Sequence, residues 1–110
     1  MLGLKDESFK FSKCIDIDLI SNCHLYLLRI KDITEEQRNL IIFEISNLEV
    51  SVNVHYQPLP MLSYYKYKGY NMLDFPVAFN NYKQEISLPI FYDLTDEQID
   101  TVVDAVEQSV

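Results

Sequence analysis

The chain has 110 residues and a formal net charge of −8, with 48% hydrophobic and 24% charged residues. This length fits one domain, and the balance is that of a folded protein with a core, which excludes a disordered chain. The acidic charge argues against nucleic acid as a partner, because lysine and arginine must displace the counterions of a phosphate backbone.

Targeting and phosphate-binding signals are also missing from the sequence. No apolar run approaches the roughly 20 residues that span a bilayer, and the first fifteen residues mix lysines with acids, unlike a signal peptide. We therefore expect a cytoplasmic protein without a membrane segment. Gly3 and Gly69 are too few for a glycine-rich phosphate loop. Cys14 and Cys23 lack the spacing of a metal motif, so we expect reduced thiols and no metal site.

The first half of the chain contains three predicted elements after a polar start. Residues 1–13 show no sustained period, and we interpret them as a loose lead-in to a single domain at 14–110. CIDIDLI (14–20) alternates and predicts an edge strand, whereas the apolar CHLYLLRI (23–30) predicts a largely buried strand. TEEQ, which begins at Thr34, is a capping box and predicts the start of a helix. The predicted apolar stripe of this helix is broad and comprises Leu40, Ile41, Phe43, Ile45 and Leu48.

The middle of the chain separates a strand pattern from an irregular stretch. VSVNV (50–54) alternates at period two, which predicts a strand with one buried face. Residues 55–71 lack a period and are rich in proline and tyrosine, and so long a connection usually lines a site or an interface. A short helix is predicted at 75–84 with Pro76 in its first turn, and ISLPIF (86–91) predicts a further strand.

The last element is the clearest. A second capping box, TDEQ at 95–98, precedes apolar residues at steps of three and four, which predicts an amphipathic helix. Those residues are Ile99, Val102, Val103, Val106 and Val110. The whole order predicts an α+β fold, in which a small mixed or mainly antiparallel sheet has helices packed on one face.

Few residues suit chemistry. His24 lies inside a predicted apolar strand, where a hydrogen-bonded structural role is favoured over a ligand role. His55 ends a strand and opens an irregular connection, so His55 and Tyr56 are candidate binding residues, with ordinary packing at a strand end as the alternative. No flanking motif supports a Ser-His-Asp or Cys-His arrangement, and we identify no catalytic residue.

We call residues 55–72 the tyrosine segment, because aromatic and flexible apolar side chains concentrate there. They include Tyr56, Met61, Leu62, Tyr64, Tyr65, Tyr67, Tyr70 and Met72. Tyrosine combines a large apolar area with a polar tip, which suits a surface half buried against a partner. The alternative is a loop that folds onto its own sheet.

Six stretches, taken in order, resemble the C-terminal part of the DegT/DnrJ/EryC1/StrS family of pyridoxal-phosphate-dependent sugar aminotransferases. They are CHLYLLRI, VHYQPLP, YYKYKGY, FPVA, SLPIF and LTDEQIDTVVDAV, and they extend over roughly residues 23–110. The chain departs from the family pattern at three positions. Family members often have glycine at Glu49, histidine at Pro60 and glutamate at Phe79.

The resemblance implies a specific chemistry. Family members transfer an amino group, usually from glutamate, to a keto group on a nucleotide-linked sugar, through a lysine Schiff base with pyridoxal phosphate. It also implies a dimer of two-lobed subunits, in which the large lobe holds the lysine, the acidic partner of the pyridinium nitrogen and the phosphate pocket. This chain resembles the small lobe, so we expect it to bind no cofactor alone. The positions of His55 and Tyr56 are implied to lie near the bound substrate.

Two functions follow as hypotheses. In the first, the chain is a C-terminal domain or truncated fragment of such an enzyme, inactive alone, and its partner is an aminotransferase large domain. The nucleotide sugar would then bind only in the intact enzyme. In the second, the chain is a non-enzymatic α+β module that binds a partner through the tyrosine segment. In both, we expect homo-oligomers, because an apolar patch around Tyr56, Pro58, Leu59 and Met61 would be left uncovered.

Overall fold

The structure is a computed structural model that describes residues 9–11, 15–16, 19–20 and 22–110. The strands in this part of the chain are β1 (Phe9–Phe11), β2 (Ile15–Asp16), β3 (Leu19–Ile20), β4 (Tyr26–Ile30) and β5 (Glu85–Leu88). The α-helices are α1 (Glu35–Asn47), α2 (Ser63–Tyr67), α3 (Pro76–Gln84) and α4 (Asp96–Ser109). Two 3₁₀ turns, Leu59–Met61 and Met72–Asp74, flank α2.

An antiparallel sheet in the order β1–β4–β5 forms the centre of the fold. Tyr26 pairs with Leu88 and Arg29 with Glu85, so all of β5 pairs with the first four residues of β4. The strand β4 begins at Tyr26, later than the predicted start at residue 23. Phe9–Phe11, which lies inside the predicted lead-in, pairs with β4. The division of the chain at residue 14 stays a prediction.

The predicted edge strand at 14–20 is wrong in its pairing. Strands β2 and β3 pair with each other as a small hairpin, separate from the main sheet, with Ile15 opposite Ile20. The second described pair is Asp16 with Leu19, so these four residues pair with one another and not with β1, β4 or β5.

The hydrophobic core lies between the sheet and the helices α1 and α4. Its buried members are Leu28, Ile30, Ile45, Val50, Ile86, Leu88, Val102, Ala105 and Val106. Each fully buried aliphatic side chain of this size contributes about 1.5 to 3 kcal/mol before conformational entropy is subtracted. The predicted α+β fold, with an antiparallel sheet and helices packed against it, is confirmed.

Both predicted capping boxes are present. At the start of α1, the amide of Gln37 donates to Oγ1 of Thr34 over 3.2 Å, and the Thr34 amide donates to Oε1 of Gln37 over 2.8 Å. Thr95 and Gln98 form the same pair at the start of α4, over 3.3 and 3.0 Å. Each box satisfies two amides that the first turn of a helix leaves without a partner.

The apolar stripe predicted for α1 is too broad. Leu40 is 63% exposed and Phe43 is 58% exposed, while Arg38 and Ile45 are buried. At 3.6 residues per turn, Leu40 and Phe43 lie on the opposite side of the helix from Ile45. Arg38, two turns before Ile45, shares the buried face of the helix with it, so this face includes an arginine that the sequence pattern did not indicate.

The end of α1 contains a strained residue. Glu49 has φ of +62°, in the left-handed region that normally favours glycine at the end of a helix. This is the position where the family pattern often has glycine. The amide of Val50 donates to the carbonyl of Ile45 over 3.4 Å, so the turn is closed despite the side chain.

The predicted strand at 50–54 is reduced to a single bridge, so this prediction is wrong in extent. The Asn53 amide donates to the Ser87 carbonyl over 3.1 Å, and the Ser87 amide donates to the Asn53 carbonyl over 2.7 Å. The amide of Val54 instead donates to Oδ1 of Asn53 over 2.8 Å. An asparagine side chain that binds a neighbouring amide in this way competes with a strand ladder.

The helix α3 begins at Pro76, as predicted, and continues into β5 without an intervening residue. The strand β5 ends at Leu88, before the proline, whereas a strand to residue 91 was predicted. Proline cannot donate to a ladder, which explains why pairing stops there. Over the described part of the chain, every helix is too short or too polar to cross a bilayer.

Candidate functional site

Three charged or titratable side chains form a row across the sheet, which we call the polar row. Arg29 and Glu85 face each other in the β4–β5 pairing, and both alternate with core residues. The Asn53–Ser87 bridge, continued by two residues along each antiparallel strand, places His55 next to Glu85. The polar row is therefore His55, Glu85 and Arg29, on the face of the sheet away from the core.

The Glu85 carboxyl is buried within this row. Burial raises its pKa above the ordinary value, and the nearby backbone of His55 and the charges of Arg29, His55 and Arg38 partly oppose this shift. The carboxylate is thus disfavoured by loss of water and favoured by its neighbours. Arg29 is held in turn by α3, because its Nη1 donates to Oδ1 of Asn81 over 3.1 Å.

A second polar cluster, which sequence reasoning missed, joins α1, α3 and β5. Nη1 of Arg38 donates to the Glu85 carbonyl over 3.4 Å, and Nη2 lies 3.6 Å from Oε1 of Glu35. The Tyr82 hydroxyl donates to Oε1 of Glu35 over 2.8 Å, and the guanidinium lies 4.8 Å from the Tyr82 ring centroid. Burial, followed by the Glu35 contact, raises the pKa of Tyr82. This cluster fixes the end of the sheet that carries the polar row.

The two candidate binding residues differ in exposure. His55 is half buried, and its Nδ1 is buried without a hydrogen-bond partner among the described residues. Tyr56 is 75% exposed, and its ring meets the His55 ring edge to face at a centroid distance of 4.6 Å. Tyr56 is thus exposed, and its ring contacts the ring of the half-buried His55.

A depression of about 240 Å³ brings together the two histidines, which sequence reasoning placed on different strands. Its polar lining comes from His24, Ser51, Asn53, His55 and Ser87. His24 lies before β4 and is exposed, so its predicted place inside a buried strand is wrong. Its Nδ1 lies 2.7 Å from Oδ1 of Asn22, so the predicted hydrogen bond is present.

The tyrosine segment and the turn after it form an apolar surface. A hollow of about 440 Å³ is lined by Pro58, Leu59, Pro60, Tyr65, Tyr70, Phe75 and Ala78. Beside it, Tyr67 is 85% exposed and Leu73 is 82% exposed. No aspartate or glutamate occurs between Val50 and Leu73, where Lys66 and Lys68 carry the charge. This surface differs in both polarity and charge from the acidic remainder of the chain.

Two of the departures from the family pattern have clear places in this structure. Pro60 lines the apolar hollow, and the ring of Phe79 lies 6.4 Å from that of Tyr82. Both positions therefore serve apolar packing in this chain. The polar contacts that histidine and glutamate would offer there are absent from these two side chains.

Among the residues that the structure describes, those lining the cavities named in this section do not fit a pyridoxal phosphate site. Such a site needs a lysine beside a cavity, an acid for the pyridinium nitrogen and a phosphate pocket. Lys31, Lys66 and Lys68 are exposed. No lysine lines the polar depression, the apolar hollow beside the tyrosine segment, or a third hollow whose lining includes Leu88, Ile99 and Val102. Within the residues that the structure describes, no cluster of three or more histidine, cysteine or acidic side chains suits a metal ion.

Comparison with known proteins gives a consistent result. The model of the DegT/DnrJ/EryC1/StrS aminotransferase family matches residues 7–107. The spore coat polysaccharide biosynthesis protein SpsC of Bacillus subtilis is 33% identical over 90 residues, and the protein MJ1066 of Methanocaldococcus jannaschii is 39% identical over 89 residues. Each match covers 79% of this chain and 23% of the relative. The chain thus spans about a quarter of the length of the curated relatives it matches.

Solved structures agree with the sequence matches. Spr1654 of Streptococcus pneumoniae, described as a sugar aminotransferase, superposes with a TM-score of 0.89 at 33% identity in its apo form. The match covers 93% of this chain and 26% of that protein. A PLP form of the same protein gives a TM-score of 0.87. Helicobacter pylori PseC, at 22% identity and a TM-score of 0.75, shares the fold.

Proposed function

This chain belongs to the DegT/DnrJ/EryC1/StrS aminotransferase family, and from that premise we propose that it is the small lobe of a nucleotide-sugar aminotransferase. It acts only when a large lobe supplies the cofactor site. The intact enzyme moves an amino group from glutamate to a keto sugar with pyridoxal phosphate, in the cytoplasm and for polysaccharide biosynthesis. Pyridoxal phosphate supplies the electron sink for that transfer when it is bound to the large lobe.

The single observation that carries this proposal is the match of almost the whole chain to a quarter of a sugar aminotransferase. The match to Spr1654 covers 93% of this chain, so the fold has few elements outside the shared part.

The large lobe is the proposed partner of the tyrosine segment. The apolar hollow and the exposed Tyr67 and Leu73 form an uncovered apolar surface, which is typical of an interface without its partner. A lobe of about three times the length of this chain offers enough surface to cover it. In the absence of that lobe, we expect two copies of this chain to associate through the same surface, and we propose a dimer for the intact enzyme.

His55 and Tyr56 are the proposed substrate contacts of this lobe. Tyr56 is exposed, and His55 lines the polar depression beside it. An imidazole and a phenol offer hydrogen bonds to sugar hydroxyl or nucleotide groups without requiring a fixed charge. In this arrangement the small lobe binds and orients the substrate, and no residue of this chain performs a covalent step.

A chimaera tests the proposal. This chain replaces the matching quarter of Spr1654, either fused or expressed beside the remaining part. We expect the absorbance of a lysine-bound cofactor and glutamate-dependent amino transfer from the chimaera, and neither from this chain mixed with pyridoxal phosphate alone. A correctly folded chimaera that binds the cofactor and never transfers an amino group would contradict the proposal.

The alternative function, a non-enzymatic binding module, is favoured by one observation. Pro60 and Phe79 are apolar where the family pattern often has polar residues, and Pro60 contributes to the hollow. A chain that folds as described but binds neither the large part of Spr1654 nor another copy of itself would favour the binding module over the aminotransferase lobe.

A further inference from the structure

The side of α1 that points away from the core is partly apolar, and we call it the outer face of α1. Its exposed residues lie three or four positions apart and therefore on one side of the helix. They are Glu36, Leu40, Phe43, Glu44 and Asn47. Leu40 and Phe43 are both more than half exposed. A helix with apolar residues on both sides is normally covered on both sides, so this face is an uncovered surface in addition to the tyrosine segment.

The charges on the outer face of α1 are acidic. Glu36 and Glu44 are exposed there, one turn before and one turn after Leu40. Arg38 is the one cation among the residues of α1, all of which the structure describes, and it is buried. Its Nη1 donates to the Glu85 carbonyl, so its charge is directed towards β5. The outer face therefore combines apolar side chains with carboxylates and offers no cation of its own.

The tyrosine segment has the opposite charge. Lys66 and Lys68 are exposed in it, and the sequence between Val50 and Leu73 contains no acid. Nζ of Lys68 lies 5.6 Å from the centroid of the Tyr64 ring, which places this cation among the exposed aromatic side chains. The tyrosine segment and the outer face of α1 are thus both apolar, and their charges are complementary.

Electrostatics distinguishes the ways in which two copies of the chain can meet. Contact between two tyrosine segments would bring lysines against lysines, and contact between two outer faces would bring glutamates against glutamates. Like charges that face each other across an interface weaken it, whereas opposite charges favour the encounter. Contact between a tyrosine segment and an outer face covers apolar area on both copies and places Lys66 and Lys68 opposite Glu36 and Glu44.

We propose that copies of this chain associate by docking the tyrosine segment of one copy on the outer face of α1 of another. The expectation that the isolated chain associates at all rests on the proposed function, and this inference names the surface that receives the tyrosine segment. In the intact enzyme the large lobe is the proposed partner of that segment, so it should compete with this contact.

The test exchanges the charges of the two surfaces and measures association by sedimentation equilibrium at low ionic strength, where exposed charges are screened least. One variant, Lys66→Glu with Lys68→Glu, makes both surfaces acidic. The other, Glu36→Lys with Glu44→Lys, makes both basic. Each alone should associate about tenfold more weakly than the unsubstituted chain, because like charges then face each other. An equal mixture of the two should regain the lost affinity, because every contact between unlike copies again pairs opposite charges.

Matched variants separate this docking from general charge effects. Asp104→Lys with Glu107→Lys makes the same change of charge at exposed positions of α4 and should not weaken association. Glu36→Lys with Glu44→Lys lowers the net negative charge of the chain, so general repulsion between acidic chains predicts stronger association, opposite to our expectation.

Two further variants protect the test. Phe43→Ser removes apolar area without changing charge and should also weaken association about tenfold, because an apolar side chain at the centre of a contact contributes strongly to affinity. Circular dichroism shows whether each variant keeps its helices. If Glu36→Lys loosens the start of α1, where the helix dipole disfavours a cation, Glu44→Lys with Asn47→Lys carries the test, because both lie later in the helix.

Four results would overturn this inference. The unsubstituted chain could stay monomeric at high concentration, or the mixture could associate no better than its components. Full association of Glu36→Lys with Glu44→Lys would indicate contact between two tyrosine segments, and full association of Lys66→Glu with Lys68→Glu would indicate contact between two outer faces. Any of these with an active chimaera would overturn only this docking. An inactive chimaera with association restored in the mixture would overturn only the proposed function.

Discussion

Two regions of the molecule differ in how much apolar area they bury. One is the sheet with the helices α1 and α4, and the other is the tyrosine segment. In the first region, Leu28, Ile45, Ile86 and Val106 are completely buried, and each comes from a different element. In the second, short helical turns present aromatic side chains outward, with Tyr67 almost fully exposed. The ring of Tyr65 lies 5.4 Å from that of Tyr64 and 6.0 Å from that of Tyr70.

We therefore expect the core region to determine the stability of the chain, and the tyrosine segment to determine its binding to a partner. The core region buries its apolar area within the chain, so its contribution to folding needs no partner. The tyrosine segment leaves apolar area in water, which is unfavourable unless another surface covers it. Substitutions in the two regions should therefore change different measurements, and the following predictions test that separation.

The largest effect is expected in the core. Ile86→Ala should lower the free energy of unfolding by about 2 to 5 kcal/mol, because it removes buried contacts and leaves a cavity. Chemical denaturation measures this change. Tyr92→Ala is the control, since Tyr92 is fully exposed, and its effect should stay within about 0.5 kcal/mol. Equal effects at the two positions would contradict the assignment of the core.

A docking variant should show the opposite behaviour. Leu73→Asp places a charge on the exposed apolar surface and should weaken binding to the large part of Spr1654 by about tenfold or more. Stability of the isolated chain should be almost unchanged, because Leu73 contributes little to its core. Calorimetric titration gives the affinity. Loss of stability without loss of binding would place Leu73 in the fold and remove it from the interface.

The two capping boxes, at the exposed starts of α1 and α4, should also contribute to the stability of the core region. Thr95→Ala should cost about 1 kcal/mol of unfolding free energy, because it removes the acceptor for the Gln98 amide. Thr101→Ala is a matched control on the same helix. The Thr101 hydroxyl donates back to the carbonyl of Glu97 over 2.9 Å and caps nothing, so its loss should matter less.

The end of α1 allows a stabilising change. Glu49→Gly should raise the free energy of unfolding by about 0.5 to 1 kcal/mol, because φ of +62° strains a residue with a Cβ atom. Glu44→Gly, inside the same helix, should lower it by a similar amount. Thermal unfolding of the two variants compares them directly. A destabilising Glu49→Gly would show that the side chain has a compensating role.

The smallest and most specific effect concerns pH. Burial raises the pKa of Glu85 in the folded chain, so the protonated form is favoured on folding. Its stabilisation is fully present below the pKa of the unfolded chain, about 4.3, and is lost as pH rises through the folded pKa. Relative to Glu85→Gln, the unsubstituted chain should lose stability over that window. Denaturation curves at several pH values measure the difference, and a constant difference would contradict the raised pKa.

Much of the core region could be predicted from sequence, because local signals and tertiary contacts agree there. Thr34 and Thr95 cap helices as predicted, and Pro76 begins one. The errors occur where tertiary contacts decide the outcome. Leu40 and Phe43 appeared to extend an apolar stripe, yet the helix turns them away from the core.

The candidate site was less predictable. His55 and Tyr56 were identified from their place at the end of a strand pattern, and their role in binding substrate remains a proposal. Nothing in the sequence marked Glu85 as a site residue, because it lies between a predicted helix and a predicted strand. Its place beside His55 depends on the bridge between Ser87 and Asn53, which the sequence did not predict. Arg38 was likewise missed, since an arginine four residues after a helix cap is normally exposed.

The direct passage from α3 into β5 restricts how this chain can change in length. Because Glu85 follows Gln84 without a connecting residue, an insertion there would shift the strand by one position. Such a shift would turn Ile86 outward and bring a carboxylate towards the aliphatic interior. Insertions and deletions among homologues should therefore avoid this junction and collect in the turn at residues 89–95, where no helix or strand must keep its phase.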